Sequence, residues 1–213
     1  MRKTPVDARE SIEWGVASLA LPGEAQSGDL HLVKPIGGGV LVAVVDGLGH
    51  GAEAATAARN AVAALERHAT ESPAPLIERC HRALRGTRGV VMSVAVLARP
   101  ERSLTWVGVG NVEGLLLYGD GAARSGAPRE SLVTRGGIVG SELPRLHPVV
   151  LPIARGDTLI FATDGIREGF AEGLLLEATP QQLADQILTR HGKGTDDALV
   201  LVARYLGGTG PRE

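Results

Sequence analysis

Aromatic residues are almost missing from this chain: two Trp, two Tyr and two Phe make up 3% of its 213 residues. Its core must therefore come from Val, Leu, Ile and Ala. Cysteine is scarcer still. Cys80 stands alone, which excludes an internal disulfide framework and a cysteine-based zinc site. It lies in Leu76-Ile77-Glu78-Arg79-Cys80, a helical pattern, and reads as a small buried hydrophobe. No segment approaches the roughly 18 consecutive apolar residues of a membrane span. Met1 to Glu13 mixes both charges without an apolar stretch and does not read as a secretory signal. The formal charge is only −2 and no Lys/Arg cluster is present, so neither nucleic acid nor anionic lipid is an expected partner. A cytoplasmic protein is the expectation that remains.

The hydrophobic content of 44% and charged content of 22% are those of an ordinary globular chain. The length suits one domain, 1–213, with a core over about 14–205 and a Gly/Pro-rich frayed tail at 207–213. Val40 to Val45 is a continuous apolar, largely β-branched run, as in a strand buried on both faces. Ala52 to His68 is Ala-rich with no Pro or internal Gly and predicts a helix. Pro73 and Pro75 interrupt it, and Leu76 to Leu84 predicts a second helix. Strands are expected at Val90 to Ala98, Leu104 to Val109 and Gly114 to Tyr118. Their short connections, Arg99-Pro100-Glu101-Arg102 and Gly110-Asn111, predict antiparallel hairpins. Asp120 to Pro144 reads as loops or short irregular elements. Further strands are expected at Leu146 to Leu151, Thr158 to Ala162 and Leu199 to Tyr205, with a helix over Pro180 to His191 capped by Thr179. The sum predicts an α+β fold, an antiparallel β-sandwich flanked by α-helices on both outer faces.

Acidic residues sit at the edges of the apolar runs: Val44-Val45-Asp46-Gly47, Ala162-Thr163-Asp164-Gly165 and Thr195-Asp196-Asp197-Ala198, with Asp29 ahead of Leu30 to Val33. Asp-Gly alone is a common turn signal, and Asp120-Gly121 after Leu115 to Tyr118 reads as a plain turn. The combination says more. In an antiparallel sheet the start of one strand lies beside the end of its neighbour, so these carboxylates can meet at one edge. Oxygen-rich clusters of this kind suit magnesium or manganese. The glycines of Gly47-Leu48-Gly49-His50-Gly51 allow a sharp turn that can aim a main-chain carbonyl, such as that of Gly47, at a cation. This points to a metal-dependent hydrolase of phosphate esters.

The ordered set Ser27-Gly28-Asp29, Val45-Asp46-Gly47-Leu48-Gly49-His50-Gly51, Gly156-Asp157-Thr158-Leu159, Thr163-Asp164-Gly165 and Asp196-Asp197-Ala198 resembles the PPM superfamily of metal-dependent protein phosphatases. Within it, the chain is most similar to the bacterial SpoIIE-like branch and its compact, stand-alone RsbX-type members. Those act on phosphorylated STAS-domain proteins of the stressosome. The resemblance spans about Trp14 to Tyr205 and implies two Mn2+ or Mg2+ ions. Asp46 would bridge them, Asp164 and Asp196 would complete one, and Asp29 with the Gly47 carbonyl would hold the other. Asp197 would support the set from behind. It further implies phosphoserine or phosphothreonine hydrolysis by metal-activated water, with His50 able to protonate the leaving oxygen. A loop histidine bonded to backbone is the other reading of His50. His31, His68, His81, His147 and His191 show no ligand spacing. Two positions depart from the family: Leu30-His31-Leu32 stands where an aromatic and an acid are frequent, and Leu199 where Thr or Ser is common.

Two rival readings exist. A dinucleotide-binding turn after Asp46 has its third glycine wrongly spaced, sets a carboxylate beside a pyrophosphate and contradicts the hairpins. A pseudophosphatase that docks a partner without turnover is the alternative function.

Overall fold

The computed structural model describes residues 11–119 and 129–207. The Asp120-Gly121 turn, most of the 207–213 tail and Met1 to Glu10 lie outside the described residues. Two five-stranded antiparallel sheets face one another. In chain order the strands are β1 (Ile12–Leu19), β2 (Asp29–Ile36), β3 (Gly39–Gly47), β4 (Val90–Ala98), β5 (Ser103–Val109), β6 (Glu113–Leu117), β7 (Arg129–Leu132), β8 (Val149–Pro152), β9 (Thr158–Ala162) and β10 (Ala198–Tyr205). One sheet runs β1-β10-β9-β6-β7 and the other β2-β3-β4-β5-β8.

The continuous apolar runs follow from burial on both faces. Along β3, Val40, Val42 and Val44 fill the layer between the sheets. Leu41, Ala43 and Val45 face outward into a second layer under α1 (Gly51–Arg67) and α2 (Pro73–Ala83). Along β10, Leu199, Leu201 and Ala203 point between the sheets. Its alternate residues Val200 and Val202 meet α3 (Pro180–His191) on the far side. The α+β sandwich with helices on both outer faces is therefore as expected. The Ala-rich face of α1 (Ala54, Ala57, Ala58, Ala61) lets the helix lie close to the sheet, since a methyl group fills little depth. Thr179 caps α3 through a full capping box with Gln182.

Three expectations need correction. Pro73 and Pro75 do not lie ahead of α2 but within its first turn, where a missing N–H costs nothing. β1 went unforeseen, because Gly15 weakens its alternating pattern; it pairs with β10. The Gly110-Asn111 link is not a hairpin turn. β5 pairs with β4 in one sheet, while β6 pairs with β7 and β9 in the other. The chain turns a corner here, with Gly110 N–H held by the Arg135 carbonyl and Ser93 Oγ donating to the Val112 carbonyl. This corner carries Asn111 to the carboxylate end of the sandwich.

Candidate metal centre

Strand ends deliver the acids. Asp29 opens β2 and lies directly across from Asp46 near the end of β3. Asp164 follows β9, and Asp196-Asp197 precede β10, its antiparallel neighbour. Stacking the sheets joins the two sets. Thr163 Oγ1 donates to Asp29 Oδ2 at 2.7 Å and accepts the Leu199 N–H at 2.8 Å. Asp197 Oδ1 and Oδ2 accept the main-chain N–H groups of Leu21 and Gly28, at 2.8 and 2.7 Å. Asp46, Asp164 and Asp196 line one cleft of about 150 Å³, together with Leu48, Gly49, Val91, Asn111 and Ile138. Asn111 Nδ2 donates to Asp164 Oδ2 at 2.7 Å, and Lys193 Nζ donates to the Asp164 carbonyl at 2.5 Å. Gly47 donates its N–H to the Gly28 carbonyl, which holds the end of β3 against the residue before Asp29.

So many carboxylates at one edge repel one another. Burial, then the charges of Asp29, Asp164, Asp196 and Asp197, push Asp46 up to about 9. Burial also raises Asp29 to about 7; the Thr163 hydroxyl opposes this, and Asp197, Asp164 and Asp196 add to it. An anionic, oxygen-only cleft is the environment hard divalent cations fit, because a cation removes the penalty that burial and repulsion impose. Among the described residues no three acids, histidines or cysteines converge as a preformed chelate. Magnesium is commonly held by one or two carboxylates and completes its shell with water, so the open arrangement suits it.

His50 sits at the N-cap of α1 without capping it by its side chain. Instead Nδ1 lies 2.6 Å from Glu24 Oε1, with the imidazole 58% exposed. Glu24 thereby fixes the ring, and Nε2 has no hydrogen-bond partner among the described residues. Thr163 stands in the Thr163-Asp164-Gly165 string but carried no role there. Glu24 and Asn111 are single polar residues in loops, and no local pattern marks them as part of the site. The Leu199 side chain is buried between the sheets, and the residue meets the site through its backbone: its N–H donates to Thr163 Oγ1 and its carbonyl accepts the Thr163 N–H. Cys80 is buried, and burial pushes its thiol up to about 12, as befits an inert packing residue.

Gly165 allows the two acidic segments to touch. A Cβ there would stand 1.9 Å from the Asp197 carbonyl oxygen. Gly165→Ala is expected to lower stability by about 3 kcal/mol, read as a drop in the urea midpoint. Gly136→Ala, where a Cβ meets nothing within 4 Å, is the control expected to be near neutral. Equal midpoints for the two variants would contradict the close approach.

Residues 36–206 match the family model described as Stage II sporulation protein E (SpoIIE). The chain belongs to the SpoIIE family. The matched span holds Asp46, Gly47, His50, Asp164, Asp196 and Asp197, while Asp29 lies just ahead of it. Among curated relatives, phosphoserine phosphatase RsbX of Bacillus subtilis (strain 168) is 32% identical over 111 residues, 52% of this chain and 56% of that protein. The chain thus spans about half the length of the curated relative it matches. A solved chain from work on the bacterial stressosome, described as a modular system adapted to control secondary messenger signalling, is 32% identical with a TM-score of 0.81. That match covers 91% of this chain and 99% of that one. RsbX crystallised in complex with magnesium has the same fold, at 23% identity and a TM-score of 0.81 over 92% of this chain and 96% of that one. The resemblance to the SpoIIE-like branch and the sandwich architecture both stand. Among the described residues no helix is long and apolar enough to cross a membrane.

Proposed function

We propose that this chain is a metal-dependent protein phosphatase that hydrolyses phosphoserine or phosphothreonine on a bacterial signalling protein, a phosphorylated STAS-domain component of a stressosome. One observation carries the chemistry: Asp46, Asp164 and Asp196 share a single small cleft, with Asp29 paired across from Asp46. The kinship with RsbX, a phosphoserine phosphatase, and with a chain from stressosome work supports the substrate class. Cleft size supports it too. About 150 Å³ is below the roughly 300 Å³ of sites that enclose a whole small molecule, so only the phosphoryl end of a larger substrate enters.

Asp46 would be shared between two Mn2+ or Mg2+ ions, Asp164 and Asp196 would complete one, and Asp29 with the Gly47 carbonyl would hold the other. Ions bound there would neutralise phosphoryl oxygens and lower the pKa of a water. The protein's own groups do the positioning. Thr163 holds Asp29, Asn111 holds one oxygen of Asp164, and Asp197 ties the start of β10 to the loop before β2. His50, oriented by Glu24, would give its proton to the departing serine or threonine oxygen.

The test of the activity is hydrolysis of p-nitrophenyl phosphate and a phosphoserine peptide with chelator, magnesium or manganese. Metal-dependent turnover is expected; none with any metal would leave a docking module. The role of His50 makes a sharper demand. His50→Ala should cost about 100-fold on the phosphoserine peptide, whose leaving oxygen needs a proton. It should cost far less on p-nitrophenyl phosphate, whose leaving group departs as a stable anion. Glu24→Gln should show the same bias in weaker form, and equal losses on both substrates would remove His50 from the acid role.

A further inference from the structure

The cleft has a chemical deficit. Its lining is acidic, amide or apolar, and none of the lining residues is a cation, although a phosphoryl group brings its own negative charge. Lys193 points one donor at the Asp164 main-chain carbonyl as a point charge without a planar fork, and Arg167 Nη1 donates to the Gly192 carbonyl. Arg88 is placed differently. It lies in the loop between α2 and β4, and that loop is pinned to the cleft wall by the Leu48 N–H donating to the Gly89 carbonyl at 3.2 Å. Its guanidinium rests on Gly49, itself a lining residue: Nη1 is 2.7 Å from where a Cβ at Gly49 would stand. Glu53, in the first turn of α1, takes the Nε donor at 2.5 Å. That contact fixes the plane of the fork from behind, while both Nη groups have no partner among the described residues. The side chain is 53% exposed, so the unspent donors are accessible. Gly49 also has φ +83°, a left-handed conformation that favours glycine, so the position that admits the guanidinium is doubly set.

We propose that Arg88 is a substrate-positioning residue whose Nη donors bind the phosphoryl oxygens at the rim of the carboxylate cleft. A planar fork held at Nε and free at both Nη atoms is the geometry arginine uses for bidentate phosphate recognition. Arg88 itself lines a second groove with Ala52, Glu53, Thr56, Gly86 and Thr87, which shares no lining residue with the cleft and has room for the body of the substrate. The proposal rests on the phosphatase reading above and deepens it.

The experiment compares wild type, Arg88→Ala and Arg88→Lys with p-nitrophenyl phosphate, inorganic phosphate as inhibitor, and manganese as a stabilising ligand. Arg88→Ala should raise both the KM and the Ki of inorganic phosphate by about tenfold, as loss of a charge-assisted pair predicts. Its kcat should stay within a few-fold, and Arg88→Lys should recover only part of the loss, having charge without the fork. The manganese concentration that half-saturates the thermal shift should not move, which separates phosphoryl binding from damage to the acids. An unchanged KM and Ki in Arg88→Ala would overturn the proposal. So would a loss confined to a phosphoserine peptide with the phosphate Ki intact, since that would put Arg88 on the polypeptide. A wild type inert with every metal would instead overturn the phosphatase reading, and this proposal with it.

Discussion

Asp46→Asn is expected to lower p-nitrophenyl phosphate turnover by about a thousandfold or more at saturating manganese. Asp46 is the carboxylate that faces both groups of acids: it pairs with Asp29 in its own sheet and lines the cleft with Asp164 and Asp196 from the other. An amide keeps the shape and removes the charge that a pair of cations would share. Cation stabilisation of phosphoryl transfer is worth several kcal/mol, and each 1.4 kcal/mol is about tenfold in rate. The loss would not reflect unfolding. Burial and four neighbouring acids already disfavour the charge at this position, so the neutral side chain should leave the metal-free protein as stable as wild type or more so. A variant with near wild-type rate would remove Asp46 from the shared position, and a variant that melts earlier without metal would contradict the electrostatic account.

The second large effect is on stability. Addition of millimolar manganese at pH 8 should raise the melting temperature by roughly 6–15 °C. Ligand at 100 to 1,000 times its dissociation constant contributes about 3–4 kcal/mol, and for a chain of this size each kcal/mol is roughly 2–4 °C. The pH dependence has a definite sign. In chelator, Asp29 and Asp46 hold protons up to about pH 7 and 9, whereas in the unfolded chain ordinary aspartates release them near pH 4. The folded state therefore carries the extra protons, and the stability associated with them is complete below about pH 4. It is lost as pH rises through 7 and 9. A bound cation favours the ionised carboxylates, so the manganese shift should be larger at pH 8 than at pH 5.5. A melting temperature unmoved by manganese, or a shift equal at both pH values, would count against a cation at these acids.

Which features were legible in the chain depended on how local their causes are. β3 and β10 announce themselves because both of their faces are buried, so Val40 to Val45 and Ala198 to Ala203 are apolar without a break. The start of α3 was readable because Thr179 and Pro180 are the residue types a helix start favours, and Gln182 completes the cap. The acids at 29, 46, 164 and 196 could be gathered in advance since each stands at a strand end, and antiparallel pairing puts such ends side by side. Asn111 could not be assigned the same way. Its value depends on a link that crosses between sheets, and a short connection between two apolar runs looks the same whether it closes a hairpin or turns that corner. Glu24 and Arg88 are loop charges, indistinguishable in sequence from the solvated ones, and become informative only when Glu24 is found against His50 and Arg88 against Gly49.

The position of β10 has a consequence for how the molecule comes into being. This strand is the last described element, yet it lies inside its sheet between β1 and β9 and carries Asp196 and Asp197 at its leading end. Its pairing with β1 joins residues as distant in the chain as Ile12 and Tyr205. A ribosome-bound chain lacking β10 would expose two strand edges and hold an incomplete cleft, so the acids cannot assemble during synthesis of the earlier strands. Closing so long a loop makes folding slow relative to helical chains of this length, and the unpaired edges of β1 and β9 would meanwhile be open to other strands. The cleft is therefore born in one late event, and any truncation ahead of Ala198 should yield an aggregating chain rather than a weakened one.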